Sequence, residues 1–300
     1  MSSHSVDVSV VVPVYNRADQ LRCLLDSFER LAPAPTFEII IVDDCSTDPS
    51  VEALAREWTT KPLSFDARYI RLEKNAGPAV ARNRGVAEAK ANIIAFTDSD
   101  CRVEPHWLQH LIKRLDRKAG IVGVGGRVLP VNTFGFISGY NTFNRILEPS
   151  PLLNYLITAN CCYYRDQILA AGGFDEGVRF PGGEDIGLSI RIILHDGKFA
   201  YEPEAIVYHD YRESVLNFLR TWKNYAHGNG YVVAKYFGPM WTRPAPDAKW
   251  NPLMIMPPGI KYRHIRHFVP SQYLKCKAEG VPIIRTLVYM WLRWMQMYIH

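Results

Sequence analysis

Short solid apolar runs alternate with stretches of helical spacing along the first hundred residues. Val8-Ser9-Val10-Val11-Val12-Pro13-Val14 is a β-branched run checked by Pro13, which predicts a buried strand. Leu21, Leu24, Leu25, Phe28 and Leu31 then recur at helical spacing over residues 17–31. Phe37 to Val42 reads as a second buried strand, and Ser46 or Asp48 as the cap of a helix over 49–58. A third strand is expected at 67–72, a helix at 78–89 and a fourth strand at 92–97. Strands alternating with helices imply an α/β fold: a mainly parallel central sheet, right-handed crossovers and helices on both faces.

In such sheets ligands bind beyond the carboxyl ends of the strands. Polar residues fall there four times: Tyr15-Asn16, Asp43-Asp44, Asn75-Ala76-Gly77 and Asp98-Ser99-Asp100. Beyond Asp100 the spacing predicts a helix over 107–115, a Gly-rich strand over 120–131, and loop or short helices over 132–156. A strand at 157–164 and a short helix at 166–171 follow. Gly182-Gly183-Glu184-Asp185 introduces a helix over 184–195, and a strand over 199–208 ends at His209. The remainder reads as a long amphipathic helix at 212–236, a Pro-rich connector at 239–259 and a terminal helix at 281–299.

Composition narrows the class. With 48% apolar and 22% charged residues in a chain of 300, there is ample material for a core, and disordered or disulfide-scaffold chains are excluded. No uninterrupted apolar run reaches the length of a membrane span, and the polar first residues lack a signal-peptide layout, so a cytoplasmic chain is expected. Six cysteines without a C-x-x-C pair read as reduced thiols. The net charge of +5 is divided unevenly. Residues 1–204 hold 22 Lys and Arg against 26 Asp and Glu, whereas residues 205–300 hold 13 against 4. An acidic front and a basic tail imply different partners, the tail suiting phosphates or a membrane surface.

Two carboxylates one residue apart at a strand end, Asp98 and Asp100, can share a hard divalent cation whose shell phosphate oxygens complete. The triplet alone is a weak signal; joined with Asp43-Asp44 at the neighbouring strand end it is much stronger. No P-loop and no G-x-G-x-x-G follows the first strand, which disfavours a P-loop nucleotidase and a dinucleotide oxidoreductase. A nucleotide held without a glycine cradle needs other counter-charge, which a metal on Asp100 and the Arg82 guanidinium can supply.

These residues resemble a known family. Ser9-Val-Val-Val-Pro-Val-Tyr-Asn16, Ile41-Val-Asp-Asp-Cys-Ser-Thr-Asp48, Asn75-Ala-Gly77, Ala81-Arg-Asn-Arg-Gly85 and Phe96-Thr-Asp-Ser-Asp100 are similar to the family 2 inverting glycosyltransferases of GT-A fold. Ala159-Asn160, Gly172-Gly-Phe-Asp-Glu176, Gly183-Glu-Asp185, Leu188 to Arg191 and Tyr208-His209 continue the resemblance, which covers residues 6–210 in order. It implies that Pro13, Tyr15 and Asn16 frame the base and ribose of a nucleotide-diphospho-sugar, with Asp43 or Asp44 accepting from the base. Asn75, Gly77, Arg82, Asp98 and Ser99 would complete the donor site. Asp100, with Asp98 and His209, would hold Mn2+ or Mg2+. Asp185 would be the general base, oriented by Glu184, and Asn160, Gly183, Glu184 and Arg191 would meet the acceptor.

The chemistry explains the residue types. Inverting transfer is a single displacement at the anomeric carbon, requiring a stabilised leaving group and a deprotonated acceptor hydroxyl; a metal serves the first and a carboxylate the second. One departure stands out. The family carries a further acid two residues after the aspartate, where this chain has Gly187.

The resemblance implies a UDP-sugar donor most readily, a glycan or lipid-linked acceptor, and a role in bacterial-type surface polysaccharide or glycoconjugate synthesis. It divides the chain into a nucleotide-sugar half (1–115), an acceptor half (116–210) and a helical basic extension (211–300). On a helical wheel, Ile283, Ile284, Leu287, Val288, Trp291, Leu292, Trp294, Met295 and Tyr298 spread over about two thirds of the circumference, with Arg285 and Arg293 in the remaining sector. That pattern suits a helix in a membrane interface, giving peripheral attachment through 281–300, or equally a packed helix or homodimer contact. Nucleic acid is not an expected partner. The alternatives are a catalytically silent protein of the same fold that binds a glycan or partner, and a nucleotidyltransferase, whose glycine loop is missing here.

Overall fold

The computed structural model describes residues 6–149, 153–237 and 272–299. The connector expected at 239–259, with Lys261, Arg263 and Arg266 beyond it, lies outside the described residues. The first half alternates as the sequence predicts: β1 (Val8–Val14), α1 (Ala18–Phe28), β2 (Phe37–Asp43), α2 (Pro49–Thr59), β3 (Asp66–Arg71), α3 (Pro78–Glu88) and β4 (Ile93–Thr97). Asp48, not Ser46, caps α2 by accepting from the Ser50 N–H, and Pro49 occupies the first turn, where its missing donor costs nothing. The second half contains β5 (Cys101–Val103), α4 (Trp107–Ile112), β6 (Ile121–Pro130), α5 (Phe136–Phe143), β7 (Asn160–Tyr164), α6 (Arg165–Ala170), α7 (Glu184–Leu194) and β8 (Lys198–His209). The long helix α8 (Val215–Phe237), a short helix α9 over 272–278 and α10 (Ile283–Ile299) form the extension.

Eight strands make one sheet in the order β3-β2-β1-β4-β7-β6-β8-β5. Strands β3, β2, β1 and β4 run parallel, and their registers align their carboxyl ends, with Val14 opposite Asp43 and Asp43 opposite Arg71. Strand β7 returns to the middle of the sheet, antiparallel to both β4 and β6. The three-residue strand β5, which the pattern does not predict, closes the far edge by pairing antiparallel with β8, Cys101 opposite His209. That pairing brings Asp100 beside His209, although a hundred residues separate them.

Two apolar layers sandwich the sheet. One packs Leu21, Leu24, Phe28, Trp58 and Trp107 under Val10, Val12, Ile39 and Ile41; the other packs Ala81, Val86, Phe174 and Leu188 over Val11, Ile40 and Phe96. A third cluster joins α5, α8 and α10 through Tyr140, Phe218, Trp222, Tyr289 and Leu292. All six cysteines are free thiols, four of them buried.

Candidate active site

A cavity of about 720 Å³ opens at the carboxyl ends of β1, β2 and β4. Its floor is the sheet edge with the first turn of α7; its roof is the segment around α5, residues 179–183 and the inward face of α8. The sequence-predicted Pro13, Tyr15, Asp44, Asn75, Gly77, Arg82, Asp98, Ser99, Asp100, Gly183, Glu184, Asp185 and His209 all line it. Parallel register explains the convergence, because each strand releases its polar residues at the same level.

Four expected residues do not line the cavity. Asp43 is fully buried and caged: Ser46 donates from its N–H (2.8 Å) and hydroxyl (2.6 Å), Tyr69 from its hydroxyl (2.6 Å) and Arg71 from its guanidinium (2.8 Å). With those contacts made, it braces the loop, and Asp44 is the carboxylate facing the cavity. Asn16 sits in the left-handed region (φ 59°), and its amide oxygen accepts from the N–H groups of Thr47 and Asp48, tying two loops together. Asn160 is interior; it accepts from the Trp107 indole (2.8 Å) and donates to the carbonyls of Arg127 and Ala205. Its polar atoms are therefore committed, and it is not placed to meet an acceptor. Arg191 donates to the Gly173 carbonyl and the Tyr236 hydroxyl, pinning a turn and α8.

Arg82 is the hub. Only 3% exposed, it donates to Asp98 Oδ1 and to Glu184 Oε1, each at 2.8 Å. A single guanidinium thus links the end of β4 to the start of α7, and despite burial the surrounding Asp98, Glu184 and Asp185 hold its pKa above the ordinary value. Glu184 also accepts from the Gly182 N–H (2.7 Å), so its position is fixed from both sides. Asp185 is different. It lies in the first turn of α7 with the Ile186 N–H as its partner (2.8 Å), and burial together with the neighbouring Glu184 raises its pKa to about 7. A carboxylate poised there takes a proton near neutral pH more readily than an ordinary one.

Glycines let α7 and α8 meet. Gly183, at φ +93°, would put a Cβ 2.5 Å from the Gly228 carbonyl carbon, so α8 crosses directly over the α7 start. A Cβ on Gly187 already reaches within 3.3 Å of Val232 on α8. An acidic side chain there would need the Val232 side chain to give way, so the close approach of α8 suits a glycine at this position.

His209 Nε2 lies 3.4 Å from Asp100 Oδ1, and its Nδ1 is buried without a partner among the described residues. Burial lowers the imidazole pKa to about 4, so the ring is neutral at pH 7 and its lone pair is available. The Cys101 sulfur belongs to the same cluster, but burial raises its pKa and keeps it a thiol. A carboxylate and a neutral imidazole, with Asp98 at the cavity wall, fit a divalent cation. Here Asp100 also pairs with the Arg17 guanidinium.

Several lining residues escape the sequence reading. Arg17 has a left-handed backbone (φ 65°) that carries it from the end of β1 onto Asp100; its adjacency to Tyr15-Asn16 was the available signal. The roof residues Tyr155, Trp222, Tyr225 and Asn229 come from segments without a motif. The cavity brings six carboxylates, Asp44, Asp98, Asp100, Glu184, Asp185 and Asp210, together with six arginines: Arg17 and Arg82 among the acids of the floor, and Arg145, Arg179, Arg212 and Arg220 elsewhere on the wall.

Comparison with known proteins follows the same lines. The family model "Glycosyl transferase family 2" matches residues 9–168, just over half of the chain. The chain belongs to glycosyl transferase family 2. Among curated relatives, a pre-mycofactocin glycosyltransferase of Mycobacterium tuberculosis is 29% identical over 222 residues, covering 71% of this chain and 44% of that protein. The chain thus spans less than half the length of that relative. Among solved structures, the mannosyltransferase PcManGT from Pyrobaculum calidifontis, in complex with GDP-Man and Mn2+, superposes with a TM-score of 0.65 at 16% identity, covering 99% of this chain and 86% of that one. TarS 1-349 of S. aureus, in complex with UDP-GlcNAc, superposes at 0.56 and 16% identity, covering 98% and 89%. Both likenesses establish a GT-A glycosyltransferase fold.

Proposed function

We propose that the chain is a metal-dependent inverting glycosyltransferase that moves a sugar from a nucleotide-diphospho-sugar to a hydroxyl of a glycan or lipid-linked acceptor. The observation that carries this reading is the conjunction, in one cavity, of the Asp100–His209 pair with the raised carboxyl of Asp185. Asp44, Asn75 and the backbone at Gly77 take the nucleoside end. Asp44 accepts from the Ala76 and Gly77 N–H groups (2.7 and 2.8 Å), which fixes its carboxylate at the cavity wall.

Asp100 and His209, with Asp98, would hold Mn2+ or Mg2+; bound there, the ion offsets the charge that develops on the departing nucleoside diphosphate. The imidazole in the set favours Mn2+, since Mg2+ prefers oxygen ligands alone. The lining arginines Arg145, Arg179, Arg212 and Arg220 would add counter-charge for the diphosphate. Asp185, the general base, receives the proton of the acceptor hydroxyl as that oxygen attacks the anomeric carbon and the sugar–phosphate bond breaks. Glu184, held by Arg82 and Gly182, keeps that first turn of α7 in place.

PcManGT and TarS were each solved with a nucleotide-sugar, one with guanine and one with uracil. UDP-sugars remain the favoured donors here, because they are the commonest choice for an acid that contacts the base. Cytoplasmic surface-polysaccharide or glycoconjugate synthesis, peripheral to the membrane, is the setting this chemistry fits. No described helix is long and apolar enough to cross a membrane.

The test is a transfer assay with UDP-, GDP- and dTDP-sugars and Mn2+, Mg2+ or EDTA, reading the anomeric configuration of the product by NMR. Inverted product from one donor, lost in EDTA, is the expected result. Retained configuration, or full activity in EDTA, would overturn the mechanism.

A further inference from the structure

Helix α8 presents a neutral polar stripe to the cavity. At 100° per residue Asn217, Thr221, Asn224, Tyr225 and Asn229 fall within an arc of about 140°, and all five line the wall. At 1.5 Å per residue the stripe is about 18 Å long. Its inner end lies against the start of α7: a Cβ on Gly183 would come within 2.9 Å of the Asn229 backbone nitrogen, and one on Gly182 within 2.5 Å of the Tyr225 ring. Asp185 follows directly on those two contacts. The outer end of the stripe, at Thr221 with Arg220 beside it, is exposed to solvent.

Around Asp185 the partners on offer are uncharged. Burial first, and then nearby carboxylates with Asp185 among them, raises the Tyr225 phenol above its ordinary pKa; burial and Asp185 do the same to Tyr155, which lines the same cavity. Both phenols therefore stay protonated and able to donate. Asn229 Oδ1 is buried with no partner among the described residues. An unpaired buried carbonyl oxygen costs free energy, and a hydroxyl supplied by a ligand recovers it.

These groups select among acceptors. A phosphate is already anionic at neutral pH, so it needs no base, and its oxygens would be set against Asn229 Oδ1 and the Asp185 carboxylate. A lipid alcohol would leave the amides and hydroxyls of the stripe unpaired. A sugar offers several hydroxyls, one to react and others to pair. We infer that the α8 stripe is the acceptor site and that the acceptor is a neutral glycan of at least two sugar residues. Its terminal sugar lies under Tyr225 and Asn229, the reacting hydroxyl at Asp185 and a neighbouring one donating to Asn229 Oδ1; the next sugar follows Asn224 and Thr221 outward, along a stripe longer than one ring can span. Given the glycosyltransferase reading with Asp185 as base, on which this rests, acceptor choice lies beyond residues 9–168, the part that the family model matches. Asn229 then fills the role that the interior Asn160 cannot.

Nucleotide release from UDP-, GDP- and dTDP-sugars with Mn2+ tests it, measured alone, with undecaprenyl phosphate in detergent, and with neutral p-nitrophenyl glycosides. The glycosides are of gluco, galacto, manno and N-acetylgluco configuration, each as mono- and disaccharide. A glycoside is expected to accelerate release, with a lower KM as disaccharide than as monosaccharide. Asn229→Ala keeps the helix, since alanine is the better helix former, and should raise the acceptor KM roughly tenfold while donor KM and melting temperature hold. Thr221→Val should shrink the advantage of the disaccharide and leave the monosaccharide KM as it was. Donor hydrolysis that no glycoside accelerates, transfer to undecaprenyl phosphate alone, or equal KM for mono- and disaccharide would overturn the assignment. So would a wild-type acceptor KM in Asn229→Ala, or donor and acceptor KM rising together. A chain that releases no nucleotide from any donor, with or without acceptor, would fail the glycosyltransferase reading itself, and the acceptor site with it.

Discussion

Asp185 gives the sharpest expectations at the scale of one residue. Because burial and Glu184 raise its pKa to about 7, the fraction able to accept a proton grows as pH rises through that value. The rate of transfer at saturating donor should therefore climb between about pH 6 and 8, which a pH-rate profile reads directly. Asp185→Asn should cost roughly 10²- to 10⁴-fold in turnover while nucleotide affinity in the presence of Mn2+ stays at the wild-type value. The same group also sets a stability expectation of opposite direction. An ordinary carboxyl, at 3.8, gives up its proton in the unfolded chain well before the folded one does, so between about pH 4 and 7 the folded state binds more protons. Rising pH then erodes stability. Asp185→Asn removes that loss, and its melting temperature relative to wild type should be higher at pH 8 than at pH 4. An Asp185 that is ionised at pH 5 would show neither effect.

Individual residues also show what sequence alone reveals. The acids and amides at four strand ends were legible, because strand period and Gly or Asp punctuation are local signals. Which of Asp43 and Asp44 faces the ligand was not. Adjacent residues on a strand point to opposite sides, and only the positions of Tyr69 and Arg71 on the neighbouring strand show that Asp43 is the structural one. Asn160 misleads for a related reason: its three partners come from α4, β6 and β8, which no local pattern brings together.

Among the elements, the crossing of α7 and α8 governs the site. Gly183, at the cap that precedes α7, and Gly228 within α8 allow backbone to meet backbone, and Glu184 and Asp185 follow immediately on that contact. Gly228→Ala should force the helices apart and cost about 1–3 kcal/mol of stability. It should also lower turnover more than it lowers donor affinity. Chemical denaturation and steady-state kinetics on one preparation test both; unchanged stability would show that the crossing tolerates a methyl group. The existence of both helices was legible from apolar spacing. Their contact was not, since a glycine that permits close approach looks like any other in one sequence. Strand β5 was missed because three residues are too few to show a period.

For the whole molecule, the cavity gathers carboxylates and arginines from both the acidic front and the basic tail, with Arg145 and Arg179 from the first and Asp210, Arg212 and Arg220 from the second. A nucleoside diphosphate bridging floor and roof should stabilise the fold by mass action, about 2.7 kcal/mol at a concentration of 100 times Kd. The rise in melting temperature should require Mn2+ or Mg2+ and vanish in EDTA. A shift as large in EDTA would mean that the arginines alone hold the diphosphate, and that Asp100 and His209 serve another purpose.

The return of β7 to the centre of the sheet bears on how such a protein can change over time. A fragment ending near residue 115 would leave β4 as an open, apolar edge, a template for association with other chains. The strands on either side of β4 and β7 therefore depend on one another to cover their edges. Change is accommodated more easily in the loops over the cavity than in the strands beneath it, which form one cooperative unit.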